Sequence, residues 1–332
     1  MRRRLLRAIG VAGVGLSVIL GTGCSSSSSN SMPTVSGLEK TSLTVGAVPV
    51  ADEAGLFIAQ DQGLFAAEGL HVTIDPIVSS ADAAKGQNDG KYDITAGNAV
   101  SYVQDQVTRQ ANLEIVAEGS LMQPDNQALY TVPGSAVTTV ADLKGRTIGV
   151  NVLNNIGTLL ISSVLKEHGL SARQVHFVAI PFPAMAQALH NHVIDAAWLP
   201  EPFGSADTAS MGLQELCDLD QGATQSFPVG WYVVTKTWAK KYPRTLEAFL
   251  DALRQGQEIA DTQRTAVEQA MEKLPPPYTV PPMIAAVMSL ETYPLSVAPD
   301  IDPARVQRVS NEMSQFGMLS QPFQVRSMLG GL

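Results

Sequence analysis

The feature that most constrains this chain is a unit that occurs twice: an apolar strand, a helix closed by glycine, and a second apolar strand. Leu43-Thr-Val-Gly-Ala-Val48 reads as a buried strand, and Ala54 to Glu68 as a helix with Phe57, Ile58 and Phe65 on one face. Gly69 stops that helix, and Leu70, Val72 and Ile74 alternate as the next strand. From Thr147 the plan repeats, with Thr147-Ile-Gly-Val150, a helix over 157–168, Gly169, and a strand over 175–180. The strand starts lie 27 residues apart from Leu43 to Leu70 and 28 from Thr147 to Val175. Strand, helix, strand with short connections enforces a parallel pair and a right-handed crossover. Two such units predict an α/β protein of two similarly built lobes.

Other segments fill in around the repeat. Asp93 to Ala96 and Ile194-Asp-Ala-Ala-Trp198 read as strands, Ala184 to Asn191 as a short helix, and Trp231-Tyr-Val-Val-Thr235 as a strongly β-forming run. Leu246, Phe249, Leu250 and Leu253 form one helical stripe; Val306, Val309, Met313 and Phe316 form another, and Pro275-Pro276-Pro277 separates the two blocks.

The N-terminus reads as an address. Arg2, Arg3, Arg4 and Arg7 precede an uncharged stretch over 8–23 that is too short to span a bilayer, the layout of an export signal. Without those four arginines the formal net charge falls from −9 to −13, which argues against nucleic acid or anionic lipid as a partner of the protein surface. The only cysteines, Cys24 and Cys217, exclude a disulfide framework and an all-cysteine zinc site. Cys217 is expected to be an inert buried thiol. The sequence contains no G-x-S-x-G, H-E-x-x-H, C-x-x-C or Walker motif, and the spacing of His190 and His192 at a helix end does not suit a metal. No cofactor and no catalytic residue are therefore expected.

Gly21-Thr-Gly-Cys24, followed by Ser25 to Ser29, resembles the lipobox of bacterial lipoproteins, in which Cys24 would be lipidated. It departs in having Gly21 where that motif usually has leucine. The run Ala51-Asp-Glu-Ala-Gly-Leu-Phe-Ile-Ala-Gln-Asp-Gln-Gly-Leu-Phe-Ala-Ala-Glu-Gly-Leu70 resembles the opening of solute-binding proteins that serve ABC importers for nitrate, sulfonates, taurine and thiamine-pyrimidine precursors. Asp142-Leu-Lys-Gly-Arg-Thr-Ile-Gly-Val150, Gly157 to Gly169, and Ala188-Leu-His-Asn-His-Val-Ile-Asp-Ala-Ala-Trp-Leu-Pro-Glu-Pro-Phe203 resemble that family's second lobe, with Val193 in place of a frequent glycine. The resemblance covers residues 40–320. It implies a bilobal periplasmic-binding-protein type II-like fold, two Rossmann-like lobes joined by a two-strand hinge, with the chain entering the second lobe near Tyr130 and returning after Tyr232. The expected organisation is a signal peptide over 1–23, a tether over 24–41, lobe 1 over 42–129 and 236–332, and lobe 2 over 130–235.

Open α/β sheets bind ligands at the carboxyl ends of their strands. Asp52 and Glu53 follow the first strand, where they either face a cleft or serve a helix N-terminus. Ser79 and Ser80 bind or cap in the same sense, and Gly97-Asn98 offers close approach beside an amide. Asn154, Asn155, Gly157 and Thr158 occupy a turn whose free N–H groups suit an anion or a carbonyl oxygen. The resemblance places Trp198 and Glu201 on the cleft wall, with a core tryptophan and an interlobe salt bridge as the alternatives. Trp231 either stacks on a ligand or packs under the hinge.

The leading expectation is a non-catalytic, exported, membrane-tethered monomer that captures a small polar solute, sulfonate-, nitrate- or taurine-like or thiamine-pyrimidine-like, for an ABC permease and ATPase. The absence of arginine from the cleft motifs leans toward a neutral or amino-bearing solute. The rival is an enzyme on the same fold, resembling pyrimidine synthase or menaquinone-pathway proteins; that synthase depends on a cysteine-rich motif which this chain lacks. An extracellular sensor is a third possibility.

Overall fold

Ten strands arise where the sequence alternates or concentrates apolar residues, in a computed structural model that describes residues 37–330. The export signal and Cys24 lie outside the described residues. The strands are β1 (Ser42–Ala47), β2 (His71–Pro76), β3 (Ile94–Asn98), β4 (Leu113–Leu121), β5 (Gln127–Thr131), β6 (Thr147–Val150), β7 (His176–Ala179), β8 (Ala196–Pro200), β9 (Gln214–Asp218) and β10 (Pro228–Thr235). They form two five-stranded sheets, ordered β2-β1-β3-β10-β4 and β7-β6-β8-β5-β9. In each, the first strand of the repeated unit lies between two parallel neighbours, and the next strand along runs antiparallel. The fold is thus α/β and bilobal, as the repeat predicts.

The two lobes share a local clamp. Asp93, just before β3, accepts the Thr44 N–H of β1 at 2.9 Å; Asp195, just before β8, accepts the Thr147 N–H of β6 at 2.8 Å. A carboxylate at the mouth of a parallel ladder satisfies a donor that the neighbouring strand does not reach, and so fixes register.

Two expectations need correction. The helix expected over 54–68 breaks at Gly63, whose φ of 72° is left-handed, into Ala54–Asp61 and Leu64–Ala67. The break turns Phe65 onto Phe249, ring centroids 5.0 Å apart, on the long helix Pro243–Thr262. The lobe boundaries also shift. β5 already belongs to the second sheet at Gln127, and β10 belongs to the first, antiparallel to both β3 and β4. The chain therefore returns between Asp218 and Pro228, not after Tyr232 or at 235. The reason is burial: Pro228 to Val234 are all buried, which a central strand requires. The crossing segments are tied where Met122 N–H donates to the Phe227 carbonyl at 2.9 Å.

One core cluster fills the second lobe and one face of the first sheet, through residues such as Ile148, Leu160, Val103 and Trp231. A second packs the other face against Phe249 and Leu253. No helix among the described residues is long and apolar enough to cross a membrane.

Candidate functional site

The carboxyl ends of β1, β3 and β8 meet the start of β5 around one cavity of about 20 Å³. Its wall includes Asp52, Glu53, Ser80 and Asn98 from the first lobe and Gln127, Asn151, Ile156, Phe182 and Trp198 from the second, with Val229 of β10 between them. That volume is on the scale of one water. A larger guest needs the lobes to separate or wall side chains to rotate.

The first-lobe wall is acidic. After β1 the chain makes a tight turn over Ala51–Glu53, held by Ala51 N–H donating to the Glu201 carbonyl at 3.1 Å and Tyr293 Oη donating to the Ala51 carbonyl at 2.9 Å. This points Asp52 and Glu53 inward. Gln127 Nε2 approaches Asp52 Oδ1 at 3.4 Å, and Asn126 Nδ2 donates to Glu291 Oε1 at 2.6 Å. Burial pushes both Asp52 and Glu291 above the ordinary carboxylate range, and for Glu291 the nearby Asp52 charge adds to it; Glu291 Oε2 has no protein partner. Burial, then the neighbouring Asp52 charge, pushes Glu53 well above the ordinary carboxylate range; the Tyr232 hydroxyl partly offsets this by hydrogen bonding. Glu53 is 1% exposed and its Oε2 has no protein partner.

Ser79 and Ser80 divide their roles. Ser79 caps helix Ser80–Asn88, accepting Asp82 N–H at 3.3 Å and donating to Asp82 Oδ2 at 2.8 Å, and does not line the cavity. Ser80 lines it while its Oγ accepts the Asn98 N–H at 2.8 Å. Asn98 lines the cavity and caps helix Ala99–Thr108 through Ser101 N–H at 3.0 Å.

The second-lobe turn works differently from a set of free N–H groups. Asn155 Oδ1 accepts the Ile156 N–H at 2.6 Å, and Asn155 Nδ2 donates to Ser101 Oγ of the first lobe at 2.8 Å. Asn154 has φ 53°, is exposed, and accepts Gln104 Nε2 on its carbonyl. These two asparagines join the lobes at the cleft edge; Ile156 supplies the wall there. Gly157 is the seat for the Trp198 ring, because a Cβ would meet that ring at 2.2 Å. Thr158 is buried with an unpartnered Oγ1.

Trp198 lines the cavity, edge-on to Phe182 at 5.3 Å, with its Nε1–H unpartnered. Glu201 sits behind the wall, accepting Ser205 Oγ at 2.7 Å, Ser205 N–H at 3.2 Å and Ser289 N–H at 3.4 Å; burial pushes its pKa up to about 7. The interlobe alternative for Glu201 is realised through hydrogen bonds rather than a salt bridge. Trp231 is 0% exposed and belongs to the core, since β10 is covered on both faces. In the second lobe Cys217 is a protonated thiol, burial pushing it up to about 12.

Sequence reasoning missed Gln127, Asn151 and Glu291. Two adjacent amides, Asn126-Gln127, opening an apolar strand were a usable signal for the first; Glu291 had none, because it reaches the site from the Pro-rich C-terminal segment. Among the described residues no group of three His, Cys, Asp or Glu side chains is arranged to hold a metal ion.

Residues 51–263 match the NMT1/THI5 like family. The chain is 27% identical over 236 residues to a bicarbonate transport ATP-binding protein of a Synechocystis species, covering 65% of this chain and 35% of that protein. It is 22% identical over 218 residues to 4-amino-5-hydroxymethyl-2-methylpyrimidine phosphate synthase of Uromyces fabae, covering 60% of this chain and 61% of the synthase. It thus spans less than two thirds of either relative. In fold it is similar to the alkanesulfonate-binding protein of Xanthomonas axonopodis pv. citri bound to MOPS, with a TM-score of 0.73 at 17% identity, over 89% of this chain and all of that one.

Proposed function

The chain belongs to the NMT1/THI5-like family, and from that premise we propose that it is the solute-binding lipoprotein of an ABC-type importer. It is exported, anchored through Cys24 on the extracytoplasmic face, and closes as a monomer around a small polar solute that it delivers to a permease and its ATPase. The observation that carries this reading is the interlobe cavity itself. Both lobes contribute buried, unpartnered polar atoms to one space, Glu53 Oε2 and Gln127 Oε1 among them, and such atoms are costly to bury unless a guest meets them. Hinged lobes that meet at strand ends provide capture and release by closure.

The test is a thermal-shift screen of the purified protein against sulfonates, nitrate, aminopyrimidines and vitamins. A ligand at 100 times its Kd is expected to stabilise by about 2.7 kcal/mol. A protein that turns over one of these compounds unaided overturns the receptor reading in favour of the enzyme suggested by the Uromyces synthase match. Anchoring is tested separately: Cys24→Ala is expected to release the exported protein from the membrane fraction.

A further inference from the structure

We propose that the interlobe cleft selects an organic cation, an ammonium or amidinium group on a body that carries one hydrogen-bond acceptor, and discriminates against oxyanions. This rests on the receptor reading and narrows it to a solute class.

The argument begins with what faces the cavity. Three of its side-chain oxygens, Glu53 Oε2, Gln127 Oε1 and Asn151 Oδ1, are buried without a partner, and the Asp52 carboxyl stands beside them. The Gln127 amide is oriented by its own contact: its NH2 group approaches Asp52 Oδ1, which leaves Oε1 as the free end. On the other side Trp198 Nε1–H is buried without an acceptor. No lysine or arginine lines the cavity. An oxyanion entering this wall meets no cationic side chain and faces the Asp52 carboxyl and the free oxygens of Glu53 and Gln127. A cationic N–H group meets three free oxygens, and one acceptor on the same solute completes the Trp198 indole.

The groups around these carboxyls agree. Glu53 is faced by Asp52, Tyr232, Tyr102, Tyr293 and Glu291, and none of these is a cation. Burial raises Asp52, Glu53 and Glu291 together, and no cationic side chain lining the cavity offsets it. An entering cation supplies that missing counter-charge and favours the ionised carboxyl, so binding is expected to release a proton to solvent, one positive charge arriving as one leaves.

The experiment uses the full chain in mild detergent with ring-matched probes of opposite charge, benzamidine and 4-(aminomethyl)pyridine against benzenesulfonate, and nitrate as a second anion. Thermal shift ranks the probes, and isothermal titration in two buffers of different ionisation enthalpy counts protons. The expected result is a preference of about 10-fold or more for a cationic probe over benzenesulfonate, with proton release on binding. Glu53→Gln is expected to cut cation affinity by about 10-fold and abolish most of the release. Asp52→Asn, at a partly exposed wall position, is a second variant with the same expected direction, should Glu53→Gln fold poorly. Tighter binding of benzenesulfonate or nitrate overturns the cation proposal and leaves the receptor reading standing. No stabilisation by any probe, or cation binding without proton release and unchanged by both variants, also overturns it.

Discussion

The two lobes are built on one plan and finished differently. In the first, the loop after the leading strand delivers Asp52 and Glu53; in the second, the loop after β6 delivers Asn151, Asn155 and Ile156. Topologically matched positions therefore carry carboxyls on one side of the cleft and amides with an isoleucine on the other. Each lobe also has its strand clamp, Asp93 or Asp195, but the first is more enclosed, at 12% side-chain exposure against 35%. The comparison teaches that strand topology fixes where a site lies, while its chemistry depends on what each lobe hangs on the equivalent loops.

The strand clamps provide the sharpest way to break the comparison. Asp93 also accepts the Trp238 Nε1–H at 2.9 Å and pairs with Lys40, whereas Asp195 adds only Arg146 at 3.3 Å. Asp93→Ala leaves two N–H donors without their acceptor and is expected to cost about 3 kcal/mol, against about 1 kcal/mol for Asp195→Ala, by urea denaturation. Equal losses would show that the lobes are energetically as well as topologically alike.

Glu201 gives a pH signature to the second lobe. Its folded pKa is raised from 4.5 to about 7, so the folded state binds more protons than the unfolded one between those values. Its contribution is most favourable below pH 4.5 and is lost as pH rises through 7. Relative to wild type, Glu201→Gln is expected to gain roughly 3 kcal/mol of stability between pH 4.5 and pH 8, read from paired denaturation curves. A flat difference would mean that the carboxyl is solvated.

The glycines flanking the cleft test how rigid each wall is. A Cβ on Gly157 meets the caged Trp198 ring at 2.2 Å, while one on Gly97 meets the Ser80 hydroxyl at 2.6 Å and the Ser80 Cβ at 2.8 Å, so the hydroxyl can rotate but the Cβ cannot. Gly157→Ala is expected to cost about 2 kcal/mol and Gly97→Ala between about 1 and 2 kcal/mol. A small effect is expected at the edge contact: Asn155→Ala removes the bond to Ser101 Oγ and is expected to cost about 1 kcal/mol while enlarging the radius of gyration seen by small-angle scattering.

Much of this was legible in the sequence. The doubled strand–helix–strand unit predicted two lobes, and the run after each leading strand pointed to Asp52, Glu53 and Asn155. Asp52, Glu53, Ser80, Asn98 and Trp198 meet at one cavity, whereas Ser79, Asn154, Glu201 and Trp231 cap, bridge or pack beside it. Capping and binding use the same residue types at the same turns, so a sequence cannot separate Ser79 from Ser80.

What the sequence determined by itself is local: apolar period and glycine punctuation dictate which segments bury which face, and hence two parallel-stranded cores. What only the tertiary structure decided is which polar groups share one dry space. Glu291 reaches Asn126 from a segment 165 residues further along the chain, and β10 returns to the first sheet rather than extending the second. The physical reason is that burial of an ionisable or unpartnered group depends on both walls of a cleft, and those walls are brought together by packing between segments that no local pattern connects.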